Sequence, residues 1–296
     1  MTARYLIIGA SGFIGRHLYR RLGPDAAIAT YHHHPFTGGV PFDATTMRLS
    51  ALLPQGKRGI THAFIFHGIT SFEACARDPV GTAKINVDSV RNLVDELIAY
   101  GITPVFASSD AVFDGSKGWR TEEDPANPIT SYGRQKVLIE EYLSAKCPEA
   151  VVVRISKILS TDPQVNDMLG EWIGALEAGA EIRCAHDHVF SPADIEDINS
   201  ALVGLAEKGL RGLFHVCGPV PISRIDLLRT LVSEVGRYRN TTSQIITCSL
   251  RDFAASEPRP LNTSMSPQKL YSALDIKFKP PQEICRLRAE AHYAKR

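Results

Sequence analysis

An apolar run, Tyr5-Leu6-Ile7-Ile8, opens directly into Gly9-Ala10-Ser11-Gly12-Phe13-Ile14-Gly15, and this junction restricts the fold more than any other stretch of the chain. Glycines at every third position, set between a strand-like run and a helical pattern, let the backbone turn tightly and approach a pyrophosphate. The helix that follows offers its N-terminal amides to the anion. A ligand-free strand-to-helix turn would use the same glycines, so the weight of the motif lies in its position at the head of a repeating pattern. Residues 4–8, 26–30, 40–42, 63–66, 104–107 and 151–155 read as strands. Residues 12–22, 80–100 and the stretch around Tyr132 read as helices. In 80–100 the apolar positions Ile85, Val90, Leu93, Val94, Leu97 and Ile98 fit the 3.6-residue period.

The β-α-β-α order predicts an α/β protein with a doubly wound parallel sheet of Rossmann type. Residues 1–160 form the expected dinucleotide-binding domain, with the sheet completed by chain returning within 186–217, near Val189 and again near Phe214. Residues 161–296 form a smaller C-terminal substrate-binding lobe, with helices at 166–177 and 225–235, a strand at 213–216, and many prolines after Pro221. Ligands of such sheets sit beyond the carboxyl ends of the strands. The Gly9 turn, His67-Gly68-Ile69, Ser108-Ser109 and Arg154-Ile155-Ser156 all fall at those ends.

The cofactor reading follows from these placements. Gly9, Ser11, Gly12, Phe13, Ile14 and Gly15 line the turn, and His67, Gly68, Ile69 and Ile155 lie at neighbouring strand ends. An NAD enzyme usually carries an acid at the end of the second strand, for the ribose hydroxyl. Here stand Thr30-Tyr31-His32-His33-His34, which suit a 2′-phosphate better, so NADP is expected over NAD, with Arg16 as a helper. Asp43 and Ala44 follow the third strand and are expected at the adenine edge; an exposed turn is the alternative for Asp43. Three adjacent histidines in one loop cannot easily face one ion, so no metal site is expected.

Tyr132 and Lys136 are four residues apart and share a helix face. An ammonium beside a phenol favours phenolate, and is expected to lower the tyrosine from its usual pKa near ~10. Ser109, at the end of the fifth strand, can donate to a substrate oxygen. With a nicotinamide, this set implies hydride chemistry at a carbonyl or alcohol, with Lys136 also anchoring the nicotinamide ribose. Asp110, Arg154 and Arg259 are the further substrate-side candidates.

Composition excludes other classes. The net charge is +1 with acids and bases intermixed, so no basic face for nucleic acid and no polybasic membrane anchor is evident. No apolar stretch approaches the ~18 residues that span a bilayer. Six scattered cysteines, with no Cys-x-x-Cys pair, suit a reduced cytoplasmic protein. The helices near 80–100 and 132–143 leave a homodimer open.

Gly9-Ala10-Ser11-Gly12-Phe13-Ile14-Gly15, Ser108-Ser109-Asp110-Ala111-Val112-Phe113-Asp114-Gly115 and Tyr132-Gly133-Arg134-Gln135-Lys136 together resemble the extended short-chain dehydrogenase/reductases. The nearest branch is the dTDP-4-dehydrorhamnose reductase group. Thr121-Glu122-Glu123-Asp124-Pro125, Asp187-His188-Val189-Phe190-Ser191-Pro192 and Arg259-Pro260 with Met265 and Lys269 are similar to further stretches of it. The resemblance implies reduction of a 4-keto sugar nucleotide, with Ser109, Tyr132 and Lys136 as its catalytic set. The chain departs from the group at His67-Gly68-Ile69-Thr70, Ser160 and Ser266. Sugar-nucleotide 4,6-dehydratases carry an Asp-Glu pair after the strand-end hydroxyl; here Ala111 follows Asp110, which argues against dehydration. Epimerisation stays open, as does a regulatory role like that of the similar methionine adenosyltransferase beta subunit.

Overall fold

The computed structural model describes residues 4–57 and 59–294. The strands are β1 Arg4–Ile8, β2 Ala27–Tyr31, β3 Gly39–Pro41, β4 Ile60–Ile65, β5 Thr103–Ser109, β6 Val151–Ile155, β7 Ile158–Leu159, β8 Ile182–Ala185, β9 Val189–Phe190, β10 Ala193–Asp194, β11 Gly212–Val216, β12 Ile222–Ser223 and β13 Ile245–Cys248. The helices are α1 Phe13–Leu22, α2 Leu49–Leu52, α3 Phe72–Arg77, α4 Pro79–Ala83, α5 Ser89–Ala99, α6 Ser131–Lys146, α7 Met168–Glu177, α8 Ile195–Glu207, α9 Arg224–Val235, α10 Gln268–Leu274 and α11 Pro281–Tyr293. Contacts divide the chain into two units. One gathers the chain up to Val112 with Pro128–Arg154 and Asn199–Phe214; the other holds Phe113–Asn127, Ile155–Ile198 and the chain from His215 onward.

The first unit is built on a parallel seven-stranded sheet ordered β11-β6-β5-β4-β1-β2-β3. Tyr5 pairs with Ala27 on one side of β1 and with His62 on the other. The chain therefore reverses its winding direction at β1, the position where such sheets bind ligands. Leu6, Ile8, Ile65 and Phe106 on the strands pack with Val94, Leu97, Ile139 and Leu143 on α5 and α6. Each such side chain contributes roughly 1.5–3 kcal/mol when fully buried. The core is thus anchored next to the strand ends that carry the site.

The helical stretch expected over 80–100 runs without a break from Pro79 to Ala99 but is not α-helical throughout. A π-turn at Lys84–Asp88 separates α4 from α5.

The second unit packs α7, α9 and α11 through Leu169, Trp172, Ile173, Leu228, Leu231 and Ile284. Short strand pairs β7–β10, β8–β13 and β9–β12 edge this core. Of the two expected returns to the large sheet, the one near Phe214 occurs, as β11. The one near Val189 does not: β9 pairs antiparallel with β12 instead. Val189 N donates to Leu261 O at 2.7 Å and its carbonyl accepts from Thr263 N at 2.9 Å, so its backbone groups are already used. Among the described residues no helix is long and apolar enough to cross a membrane.

Candidate active site

The glycine turn is a cradle that leads into the uncapped first turn of α1. Gly9 has φ +82°, and a Cβ there would lie 2.9 Å from His67 N, so a side chain is excluded by conformation and by space. Gly9 N donates to Thr30 Oγ1 at 3.1 Å, and Thr30 Oγ1 donates to Ile7 O at 3.3 Å, which pins the turn to the end of β2. Gly12 caps α1 with no side-chain acceptor, and the first turn holds no acid. Its free N–H groups and the positive end of the helix dipole fit a pyrophosphate. Ser11 and Ile14 are half-buried at this turn, Gly15 is buried, and Phe13 is exposed.

Tyr31 ends β2, and His32 and His33 follow it at the surface with ring centroids 3.6 Å apart. The Arg16 guanidinium lies 4.0 Å over Phe36, whose ring also packs against Tyr31. Arg16 and the histidines therefore border one end of β2, as a 2′-phosphate pocket requires. Asp43 is held in a tight turn. The Thr45 hydroxyl and amide and the Thr46 hydroxyl all donate to it, and its carboxyl is pushed down to about 2, with the Thr45 hydroxyl the largest cause. His32 Nε2 lies 3.6 Å from it. Ala44, beside it, is buried.

The loop after β4 is fixed by two residues that sequence reasoning missed, Asn86 and Ser89. Ile69 N donates to Asn86 Oδ1 at 2.6 Å, and Asn86 Nδ2 donates to Ile69 O at 2.9 Å and to Gln135 Oε1 at 2.7 Å. One carboxamide thus ties the 67–69 loop to α6. A Cβ on Gly68 would lie 2.9 Å from Asn86 Oδ1. Ser89 Oγ donates to Ile85 O at 2.6 Å and sits 2.9 Å from His67 Nε2, which makes His67 the donor of that second bond. Burial holds the His67 imidazole below its usual pKa, so the ring is neutral.

Ser109 ends β5. Its Oγ donates to Asp110 Oδ1 at 3.1 Å and accepts from Ala111 N at 3.2 Å. Thr130 caps α6 by accepting from Gly133 N at 3.0 Å, which starts the helix with Tyr132 in its first turn. A Cβ on Gly133 would come within 2.2 Å of Ala111 O, so only glycine allows α6 this close to the Ser109 turn. Tyr132 is 7% exposed, edge-on to Phe72 at 5.3 Å, and clustered with Cys75 and Ala111. Lys136 Nζ donates to Ala107 O at 2.7 Å and lies 4.6 Å from the Phe106 ring centroid.

Two expectations are corrected here. The Tyr132 phenol is shifted up and not down, although Lys136 Nζ lies 5.6 Å from its ring centroid. Burial raises the phenol well above its usual value, Asp110 and Cys75 add to that, and the Ser109 hydrogen bond is what pulls it down. Lys136 itself is brought down to about 8, chiefly by burial, against the opposing charge of Glu140. Arg154, expected beside the substrate, is buried and committed elsewhere: its Nε and Nη2 meet Glu140 at 3.1 Å and 2.7 Å. Ser108 Oγ donates to the same carboxylate. Ile155 is the buried last residue of β6. The Arg154–Glu140 pair leaves no trace in spacing, because its partners are 14 residues apart on a strand and a helix.

In the second unit, Arg259 is exposed beside buried Pro260. The loop of residues 113–127 is tied within itself by Arg120, which meets Asp114 at 3.1 Å and Asp124 at 3.2 Å. Glu122 Oε1 accepts from His215 N at 2.8 Å.

Residues 3–288 match the model of the RmlD substrate binding domain family. A probable low-salt glycan biosynthesis reductase, Agl14, of Haloferax volcanii is 24% identical over 263 residues, covering 86% of this chain and 87% of that protein. Methionine adenosyltransferase 2 subunit beta of Danio rerio is 25% identical, covering 90% and 84%. Among solved structures, a hypothetical dTDP-4-dehydrorhamnose reductase from Sulfolobus tokodaii superposes with a TM-score of 0.80 at 27% identity, covering 93% and 96%. A dTDP-4-dehydrorhamnose reductase from Bacillus anthracis, solved in complex with NADP, gives 0.81 at 21% identity, covering 96% and 98%.

Proposed function

We propose that this chain, which belongs to the RmlD substrate binding domain family, is an NADP-dependent reductase of a 4-keto sugar nucleotide. In this reading the glycine turn and the 67–69 loop hold the dinucleotide. Arg16, Tyr31, His32 and His33 favour its 2′-phosphate, so NADP is preferred and NAD is the alternative. Support comes from the NADP complex of the Bacillus anthracis relative and from the open amides of α1. The C-terminal portion of the chain, with Arg259, takes the sugar nucleotide.

When bound, the reduced nicotinamide supplies a hydride to the carbonyl carbon. Tyr132 supplies the proton to the carbonyl oxygen, and Ser109 donates a hydrogen bond to that oxygen by turning its hydroxyl away from Asp110. Lys136 holds positive charge beneath the site from its place on Ala107 O, where it also meets the cofactor ribose. The observation that carries this reading is the burial of Tyr132 next to Ser109: a phenol held above its usual pKa is fully protonated at neutral pH, the form a reduction consumes.

The test is a panel of 4-keto sugar nucleotides incubated with enzyme and NADPH, followed by loss of NADPH absorbance. Consumption with at least one of them is expected; NADPH binding without consumption across the panel overturns the reading. That second result would favour a regulatory subunit, the role suggested by the methionine adenosyltransferase subunit relative. An epimerase would instead keep its dinucleotide through purification and need no added reductant.

A further inference from the structure

Tyr132, Gln135 and Lys136 fall on one face of α6, because residues three and four apart are neighbours on a helix. Two of them carry the proposed chemistry. The third, Gln135, is the most buried, at 5% exposure. Its carboxamide is fixed from three sides. Nε2 donates to Thr82 Oγ1 at 2.9 Å and to Pro79 O at 3.1 Å, and Oε1 accepts from Asn86 Nδ2 at 2.7 Å. Turning the amide over would set its oxygen against the Pro79 carbonyl and its NH2 against that of Asn86, so only one orientation satisfies the neighbours.

These bonds belong to a chain with a single polarity. Ile69 N donates to Asn86 Oδ1, Asn86 Nδ2 to Gln135 Oε1, Gln135 Nε2 to Thr82 Oγ1, and Thr82 Oγ1 to Asp78 O at 2.7 Å. Buried hydrogen bonds in series strengthen one another, and a buried amide stripped of a partner costs more than the bond it loses. The chain starts on the loop after β4 and ends at Asp78, the residue that caps α4. Its middle link stands beside Lys136, which is tied to β5 through Ala107 O. Tyr132 lies one turn earlier on the same helix, so a shift of Gln135 carries the phenol with it.

We propose that Gln135 is a positioning residue that couples the 67–69 loop to the helix bearing Tyr132 and Lys136. When the dinucleotide orders that loop, Asn86 and Gln135 pass the constraint to α6. Gln135 acts through Asn86 and through the helix it stands on. The coupling rests on the reductase reading in that the loop meets the cofactor and Tyr132 the substrate.

The experiment compares Gln135→Met with Gln135→Glu in the full chain. NADPH dissociation constants are read by fluorescence, and single-turnover rates are read with any keto sugar nucleotide that the wild type reduces. Methionine is close in volume and has no amide, whereas glutamate keeps an oxygen for Asn86 Nδ2 and loses the donor toward Thr82 and Pro79. Gln135→Met is expected to weaken NADPH roughly fivefold and slow turnover roughly tenfold, while Gln135→Glu keeps NADPH affinity within about twofold of wild type. A role in packing alone gives the opposite order, with the apolar isostere harmless and the buried carboxylate damaging. That opposite order, or equal affinity in all three proteins, overturns the coupling. Should Gln135→Met fail to fold, the wild type carries a second measurement. NADPH is expected to slow solvent exchange of the Gln135 carboxamide protons, followed by NMR, and an unchanged rate overturns the coupling as well. The expected affinity order without reduction of any keto sugar nucleotide would remove the reductase and leave the coupling to the loop; reduction with the order reversed would do the opposite.

Discussion

The Glu140 carboxylate, one helical turn beyond Lys136, is gripped by Arg154 through two nitrogens at 3.1 Å and 2.7 Å, with both side chains nearly withdrawn from water. Arg154→Met would strand that carboxylate in the interior. Breaking a buried pair from one side typically costs about 3–5 kcal/mol. The expected outcome is a large drop in the urea midpoint with little change in the slope. An Arg154→Met variant of wild-type stability with a raised substrate KM would return Arg154 to the substrate.

The same carboxylate opposes the desolvation of Lys136, whose folded pKa is about 8. The unfolded value is near ~10.4, so the native state releases this proton first. Two consequences follow with opposite signs. Any catalytic help from the Lys136 charge is complete below about 8 and lost as pH rises through it, while Tyr132 remains a phenol throughout. Stability moves the other way. Between about 8 and the unfolded value the unfolded chain binds more protons, so this group's contribution to stability rises with pH. Reductive turnover at saturating substrates should therefore fall on the alkaline side of neutrality, and Glu140→Gln should move the fall to lower pH. A profile identical in the two proteins would separate Glu140 from Lys136.

Tyr132→Phe removes the proton donor and keeps the ring that packs on Phe72. Turnover should drop by roughly two to four decades while NADPH still binds, since positioned acid catalysis is worth about that much. Ser109→Ala should cost less, because the Tyr132 hydroxyl still reaches the substrate oxygen. Single-turnover rates, read beside NADPH affinity by fluorescence, check both. Unchanged turnover in Tyr132→Phe would take the phenol out of the chemistry.

What could be read from the chain beforehand has a physical pattern. The sheet was legible because its strands are short apolar runs that end in polar or glycine residues, and because the helices between them repeat at 3.6. The Tyr132–Lys136 pair was legible because a helix fixes the geometry of residues four apart. The electrical state of that pair was not, because it depends on burial by Phe72 and Cys75 of α3 and Phe106 of β5, two segments distant from α6 in the chain. Asn86 was hidden for a similar reason. A π-turn shifts the helix face by one residue, and the value of its carboxamide lies in partners 17 and 49 residues away. The place of Val189 was misjudged because two-residue strands carry no periodicity, and their pairing is decided by whichever backbone donors remain free.

His188 gives the acid side of the stability curve a definite shape. Its imidazole is held down to about 4 in the folded protein, against a value near ~6.5 when unfolded. As pH falls from about 6.5 toward about 4, the unfolded chain takes up a proton that the native ring refuses. Stability therefore declines through that window, and the contribution of this residue levels off below it. His62 and His67 are shifted in the same direction by burial and add to the slope. Melting temperatures measured across this range in chloride should fall with pH, and His188→Gln should flatten the curve. A slope unchanged by His188→Gln would leave the loss in this window to His62 and His67, since Asp43 and Asp114, with folded values of about 2, lose their contributions at lower pH.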